Sequence, residues 1–340
     1  VQQLMGGWFE LKVRGRLGPD KNDDKEITIL GRTVRWKEWG VEYEADTRHR
    51  SEILKHFGMN ASTKGFSANG KAEDVDNEGD EEEVTGEEAT AFRALAARAN
   101  FLAQDCPDIQ FPAKEVCRDM AVPKVGSWAK LKRLAKYLVS RESVKFRFEW
   151  QDDGQQMVVY TDSDWAGCRR TRKSTSGGAL MRGRHVLRTW CGTQATIALS
   201  SAEAELIAAV RGAAEGLAAS NLSTDLGKPC GLRIHVDSSA AIGICKRTGV
   251  GKVRHLDTRL LWIQELLRDG RAQLIKVAGT ENPADLMAKH LGSENISTHL
   301  MRLECWPRDG RAEAAPRLAK CAGNDAVSST HLTLPTKRRV

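Results

Sequence analysis

Residues 157–167 read MVVYTDSDWAG. The alternating run from Met157 sets Val158, Tyr160 and Asp162 on one side of a strand and Met157, Val159 and Thr161 on the other. A carboxylate at the end of such a run is held near the core by folding. Three further segments follow the same plan: Glu205 in SSAEAELIAA (200–209), Asp237 in LRIHVDSSAA (232–241) and Asp285 in TENPADLMAK (280–289). Like charges gathered this way repel unless a cation sits among them. An all-oxygen ligand set with open water positions suits Mg²⁺ or Mn²⁺ rather than zinc, and a pair of such ions is a common device for cleaving phosphodiesters. Asp164 shares the face of Asp162 only if the strand runs on, and reads as the cap of a bend.

Composition limits the alternatives. At 340 residues the chain can hold two modest domains, or one with appendages, and 41% hydrophobic and 29% charged residues are ordinary for a soluble protein. No apolar run approaches the roughly 18 residues that cross a bilayer, and no signal-peptide pattern opens the chain, so no membrane partner is expected. The eight cysteines form no C-x-x-C pair. This argues against a zinc knuckle or a disulfide framework and for a reducing compartment. Residues 73–88 hold ten acids and no base, so the other residues carry +17 against a net charge of +7 for the chain. A surplus of that size fits a polyanion such as nucleic acid.

Along the chain, ITILGRTVRW (27–36) reads as strands and HRSEILKHFGM (49–59) as a short helix. Residues 61–90 read as an acidic, disordered linker. Helices are expected at 90–103, around 114–121 and over 125–140. In the last of these Trp128, Leu131, Ala135 and Leu138 form the apolar stripe, with Lys130, Lys132, Arg133 and Lys136 around it. The runs KFRFEW, MVVYTD, GGALMR and HVLRTW then follow in quick succession, as an antiparallel meander would. A long helix starts at Ser200–Ser201, where Glu203 completes a capping box with Ser200. The strand LRIHVD, the helices SAAIGICK and LDTRLLWIQELL, the strand AQLIKVA and a helix from Ala284 complete the pattern. This order implies an α/β fold, a mixed sheet with helices on its faces. Trp165 and Trp190 read as core. Arg172, Lys173, Ser174, Thr175 and Ser176 form a loop of bases and hydroxyls suited to phosphate and sugar. Lys252, Arg254 and His255 precede a helix start that could hold another phosphate.

The ordered blocks YTDSDWAG, RKSTSGGAL, ALSSAEAELIAA, VDSSAAI, RHLDTR and NPADLMAKHL resemble the ribonuclease H domain of Ty1/copia-type retrotransposon Pol polyproteins. Upstream, WFELKVRGRLGPD, ITILGRTVRW and ILKHFGM resemble the end of a reverse-transcriptase palm, and ANFLAQDCPDI and SWAKLKRLAKYL its thumb and connection. The resemblance implies palm at 1–60, linker at 61–90, mostly helical thumb/connection at 91–144, a ribonuclease H-like mixed five-stranded sheet with flanking helices at 145–292, and a disordered tail at 293–340. It implies hydrolysis of the RNA strand of an RNA–DNA hybrid during reverse transcription, with Asp162, Glu205, Asp237 and Asp285 both catalytic and metal-binding. Two Mg²⁺ ions, or Mn²⁺, would lie about 4 Å apart. The partners would be the hybrid and the rest of the polyprotein, and the location the cytoplasm, within a virus-like particle, or the nucleus. The loop 278–283 lacks the histidine that cellular ribonucleases H carry there. The polymerase's Tyr-x-Asp-Asp turn is expected upstream of Val1 in a longer polyprotein, and Gln151-Asp152-Asp153 is no substitute, so this chain is not expected to polymerise. The competing reading is an inactive nucleic-acid-binding remnant of a decayed element. An integrase or transposase is disfavoured, because its acids run Asp, Asp, Glu.

Overall fold

The computed structural model describes residues 5–66, 81–141, 143–152, 154–251 and 253–308. It is a mixed α/β protein with two five-stranded sheets. The first sheet begins with β1 (Glu26–Ile29), β2 (Arg32–Lys37) and β3 (Gly40–Glu44), joined antiparallel. Leu30 and Gly31 make the first turn in left-handed backbone (φ 51° and 83°), the two-residue geometry whose twist suits paired strands. Arg35 of β2 is held among Glu26, Glu42 and Glu44, so buried charges are paired within the sheet.

Four helices follow: α1 (Arg48–His56), α2 (Gly86–Ala103), α3 (Pro107–Cys117) and α4 (Val125–Val139). The second half of the acidic run is thus partly helical. Glu87 and Glu88 lie in the first turn of α2, where the helix dipole favours acids. Residues 73–80 lie outside the described residues. In α4, Leu131, Ala135 and Leu138 are buried as the apolar stripe requires, and Trp128 packs against them.

The run KFRFEW departs from the expected meander. It forms β4 (Ser143–Glu149), which pairs with β3 on one side and with β10 (Cys305–Arg308) on the other. Alternation specifies which face of a strand is buried, not which strand lies beside it. Here Phe146 meets Tyr43 of β3 edge-on, ring centres 5.7 Å apart. The expected structureless tail also differs from the structure in its first part, because α9 (Ser293–Arg302) and β10 return the chain to this first sheet. Ile296, Leu300, Leu303 and Cys305 are buried there, so a short amphipathic stripe suffices to dock the segment. Residues from 309 onward lie outside the described residues.

The second sheet is the expected mixed one. β5 (Met157–Asp164), β6 (Thr175–Arg182) and β7 (His185–Thr193) form an antiparallel meander. The long α5 (Ser201–Asp225) then crosses over to β8 (Leu232–Val236), parallel to β5. The helices α6 (Ser239–Lys246) and α7 (Trp262–Arg268), with a 3₁₀ turn before α7, lead to β9 (Gln273–Lys276), parallel to β8. The strand order is β7-β6-β5-β8-β9.

Leu206, Ala209 and Ala213 of α5 pack on one face of this sheet with Val159, Ile234 and Ile263. The opposite face, through Ala179 and Met181, shares a core with the one-turn helix α8 (Asp285–Ala288) and with α3. Gln110 and Lys114 of α3 donate to the hydroxyls of Thr189 and Thr175, each at 2.8 Å. Trp190 is core as expected. Trp165 is not: it is 51% exposed, its indole N–H held by the Ala198 carbonyl at 3.0 Å. It follows the end of β5, where strand alternation no longer turns a side chain inward.

Candidate metal centre and nucleic-acid surface

The centre of the second sheet brings the four acids together. Asp162 lies on β5 and Asp237 follows the end of the neighbouring parallel strand β8, so two carboxylates stand side by side at adjacent strand ends. Asp285 starts α8, which reaches β6 closely because Gly177 has no side chain. A Cβ there would stand 2.7 Å from the Ala284 carbonyl and 2.8 Å from the Ala288 nitrogen. Ligand oxygens of Asp162, Asp237 and Asp285 all lie within 4.8 Å of one another.

Glu205 joins from the first turns of α5. That helix sits close to β5 because Gly212 and Gly216 face it; a Cβ on Gly212 would meet Thr161 at 2.3 Å. One oxygen of Glu205 accepts from the N–H and the hydroxyl of Ser163, at 3.1 and 2.9 Å, which ties the helix to the residue next to Asp162. Glu203 points elsewhere. Its N–H donates to Ser200 Oγ at 3.2 Å, while its carboxylate accepts from Leu199 N–H at 2.7 Å and stands 3.2 Å from His255 Nε2.

The electrostatics of the cluster are strained. Asp162 is 2% exposed, and burial, then the charge of Asp285, drives its carboxyl well above the ordinary range. Burial and then Asp237 lift Glu205 to about 7, against the hydrogen bonds from Ser163. Burial and then Asp285 raise Asp237 as well. Glu205 Oε2 is buried without a hydrogen-bond partner, and Asp162 Oδ2 and Asp285 Oδ1 are buried with only the Lys289 ammonium near them, at 3.4 and 3.0 Å, an expensive arrangement for carboxylates. Buried, convergent carboxylate oxygens of this kind are what a hard divalent cation takes as ligands, so the donor set fits Mg²⁺ or Mn²⁺.

Two residues of the centre were not picked out from the sequence. Asn282, fully buried, donates from its amide to the Thr161 carbonyl at 2.9 Å and accepts from Ala284 N–H at 3.2 Å, pinning the loop before Asp285 to β5. Its signal was the Asn-Pro pair three residues before an acid. Lys289, one turn after Asp285, places its ammonium 3.0 Å from Asp285 and 3.4 Å from Asp162. Burial opposes its charge, but the two aspartates outweigh that and raise its pKa. The i to i+4 spacing from Asp285 was visible, but its reach to Asp162 depends on the docking of α8.

The basic loop requires a correction. Ser174, Thr175 and Ser176 are buried and their hydroxyls serve the interior: Ser174 accepts from Ala166 N–H at 3.0 Å, Thr175 from Lys114 at 2.8 Å and Ser176 from Gln194 at 2.9 Å. These residues enter strand β6, where small hydroxyls pack against neighbours. The solvent side of the loop is instead Arg169, Arg170, Arg172 and Lys173. Arg170 stands 3.5 Å from Asp119, which also receives Ser127 and Lys130 of α4, so loop and helix form one charged surface. Cys168 opens this loop beneath the Arg118 guanidinium. Arg254 and His255 are exposed before the 3₁₀ turn, and Lys252 lies outside the described residues. Among the described residues no helix is long and apolar enough to cross a membrane.

No family model matches the chain. It is 29% identical over 185 residues, 54% of its length, to the retrovirus-related Pol polyprotein from transposon TNT 1-94 of Nicotiana tabacum, and spans 14% of that polyprotein. It is 31% identical over 124 residues, 36% of its length, to the uncharacterized mitochondrial protein AtMg00810 of Arabidopsis thaliana, half of which (51%) is covered. Among solved structures, the foamy viral protease-reverse transcriptase in complex with RNA/DNA hybrid aligns with a TM-score of 0.45 at 12% identity, over 75% of this chain and 29% of that one. The chain is a homologue of the Pol polyproteins of plant retrotransposons.

Proposed function

We propose that this chain is a divalent-metal-dependent endonuclease that hydrolyses the RNA strand of RNA–DNA hybrids, within a copia-type retrotransposon Pol polyprotein. The observation that carries the reading is the convergence of Asp162, Glu205, Asp237 and Asp285 in one cluster, where Glu205 Oε2 is left unpartnered and a single ammonium, that of Lys289, faces Asp162 and Asp285. The four side chains would hold a pair of Mg²⁺ or Mn²⁺ ions, which when bound supply an activated water and neutralise charge building on the departing 3′ oxygen. Ser163 orients Glu205, and Asn282 fixes the approach of Asp285. Arg169, Arg170, Arg172 and Arg254 offer exposed cationic contacts for the phosphates of a hybrid, with the half-buried Lys173 and the exposed His255 imidazole beside them.

The full chain, purified free of host nucleases, tests this on end-labelled RNA–DNA hybrid, duplex DNA and duplex RNA. The expected result is Mg²⁺-dependent cleavage of the hybrid's RNA strand, leaving 5′-phosphate ends and stopped by EDTA. Equal cleavage of duplex DNA, or activity that survives EDTA, overturns the reading. Salt-sensitive hybrid binding with no cleavage under any divalent ion would favour the inactive remnant instead.

A further inference from the structure

We propose that Lys289 is the resident counter-ion of the acid cluster and must leave its place between Asp162 and Asp285 before a metal can bridge those two residues. The inference rests on the metal reading above. The Lys289 ammonium stands 3.4 Å from Asp162 Oδ2 and 3.0 Å from Asp285 Oδ1. These same two oxygens are buried and have no partner besides that ammonium among the described residues, so they become free ligands for an entering ion once the ammonium leaves. An ammonium and a divalent cation cannot share that space, because their charges repel at such separations.

The lysine is also built to move. Its side chain is 41% exposed while those of Asp162 and Asp285 are 3% and 15% exposed, so the cation has a path to water that its partners lack. A four-carbon stem with rotatable donors can swing out without disturbing the backbone. The carboxylates are anchored, since Asp162 lies in a paired strand and Asp285 on a helix docked over Gly177.

The consequence is that the two cation positions differ. A position built on Asp162, Glu205 and Asp237 meets Lys289 only through Asp162, at the longer 3.4 Å, while Lys276 is engaged by the Asp237 backbone carbonyl at 2.9 Å and by Ser239. A position built on Asp162 and Asp285 is filled only at the cost of displacing Lys289. Lys289 thereby protects the metal-free fold from the repulsion of its own acids and makes the second ion bind weakly.

Mn²⁺ titration of the full chain by calorimetry, with thermal melting in EDTA and in Mn²⁺, tests this in wild type, Lys289→Met, Lys289→Arg and Lys246→Met. Lys246 is an exposed lysine on α6 and controls for loss of a charge in general. Lys289→Met should tighten the weaker Mn²⁺ site about tenfold, melt lower than wild type in EDTA and gain more from Mn²⁺. Lys289→Arg and Lys246→Met should resemble wild type. Unchanged or weaker Mn²⁺ binding in Lys289→Met overturns the inference while leaving the metal centre standing. Wild type that binds no Mn²⁺ overturns both.

Discussion

Glu203 and Glu205 stand two residues apart on one helix, about 200° around its axis, and the structure gives them different partners. Glu205 meets Ser163 beside Asp162, whereas Glu203 closes the helix start and faces His255. Glu205→Gln should abolish turnover while the protein stays folded. Glu203→Gln should retain kcat within about twofold, weaken substrate binding slightly as His255 loses its partner, and cost at most about 1 kcal/mol of stability. Cleavage rates and melting curves decide it, and a dead Glu203→Gln would reverse the assignment. A second residue-scale expectation concerns Cys168. Burial alone would raise this thiol, but hydrogen bonds from Arg118 and Thr171 outweigh it and hold the pKa at about 7. The thiolate fraction therefore climbs through neutral pH, and iodoacetamide at pH 7 should label Cys168 ahead of Cys106, Cys117, Cys191 and Cys245, whose thiols burial pushes up. Arg118→Met should slow that labelling about tenfold, since an ordinary thiol is only a few per cent ionised there. Peptide mapping by mass spectrometry reads both outcomes.

At the scale of elements, the site depends on how closely α5 and α8 approach the sheet, and glycines set both distances. Gly177→Ala would drive a methyl group into the backbone of α8. The expected result is a loss of about 1–3 kcal/mol, with α8 and Asp285 displaced from Asp162, so that Mn²⁺ no longer raises the melting temperature as it does in wild type. An unchanged Mn²⁺ shift would mean that α8 does not need this contact. The acids themselves were legible from sequence, because each sits at a strand end or helix start beside an apolar run. Ala209 and Gly212, one and two turns after Glu205, are the small residues that let α5 lie close to β5, and their spacing is visible in the sequence. The hydroxyls of Ser174, Thr175 and Ser176 misled, since a polar run next to arginines looks like a loop whether its side chains face water or a neighbouring strand. Only the pairing Asp164–Thr175 and Asp162–Gly177 reveals that this run is a central strand.

The whole molecule is more interwoven than a linear division at residues 144–145 and 292–293 suggests. Strand β4 belongs to the first sheet although the sequence pattern groups it with β5, and α9 with β10 carries the chain from the second sheet back to the first. Periodicity reports burial locally; it carries no information on which of two sheets will claim a strand, so this crossing was hidden. One core joins Ala179, Met181, Leu286 and Met287 of the second sheet and α8 to Leu102, Ile109 and Leu131 of the preceding helices. A fragment of residues 151–292 would therefore expose that face of its sheet, along with Phe111's partner His290, and lose the Gln110 and Lys114 bonds to Thr189 and Thr175. Exposed apolar surface of that extent removes the burial that offsets chain entropy. The fragment should bind a hydrophobic dye strongly and melt broadly at lower temperature, whereas the full chain should melt in a sharper transition. Restoring the helices and the return strand, as in a fragment of residues 81–308, should recover much of the difference. A fragment of residues 151–292 that melts as sharply as the full chain, within a few degrees of it and without binding dye, would mean that the second sheet is self-sufficient and that α3 merely rests on it.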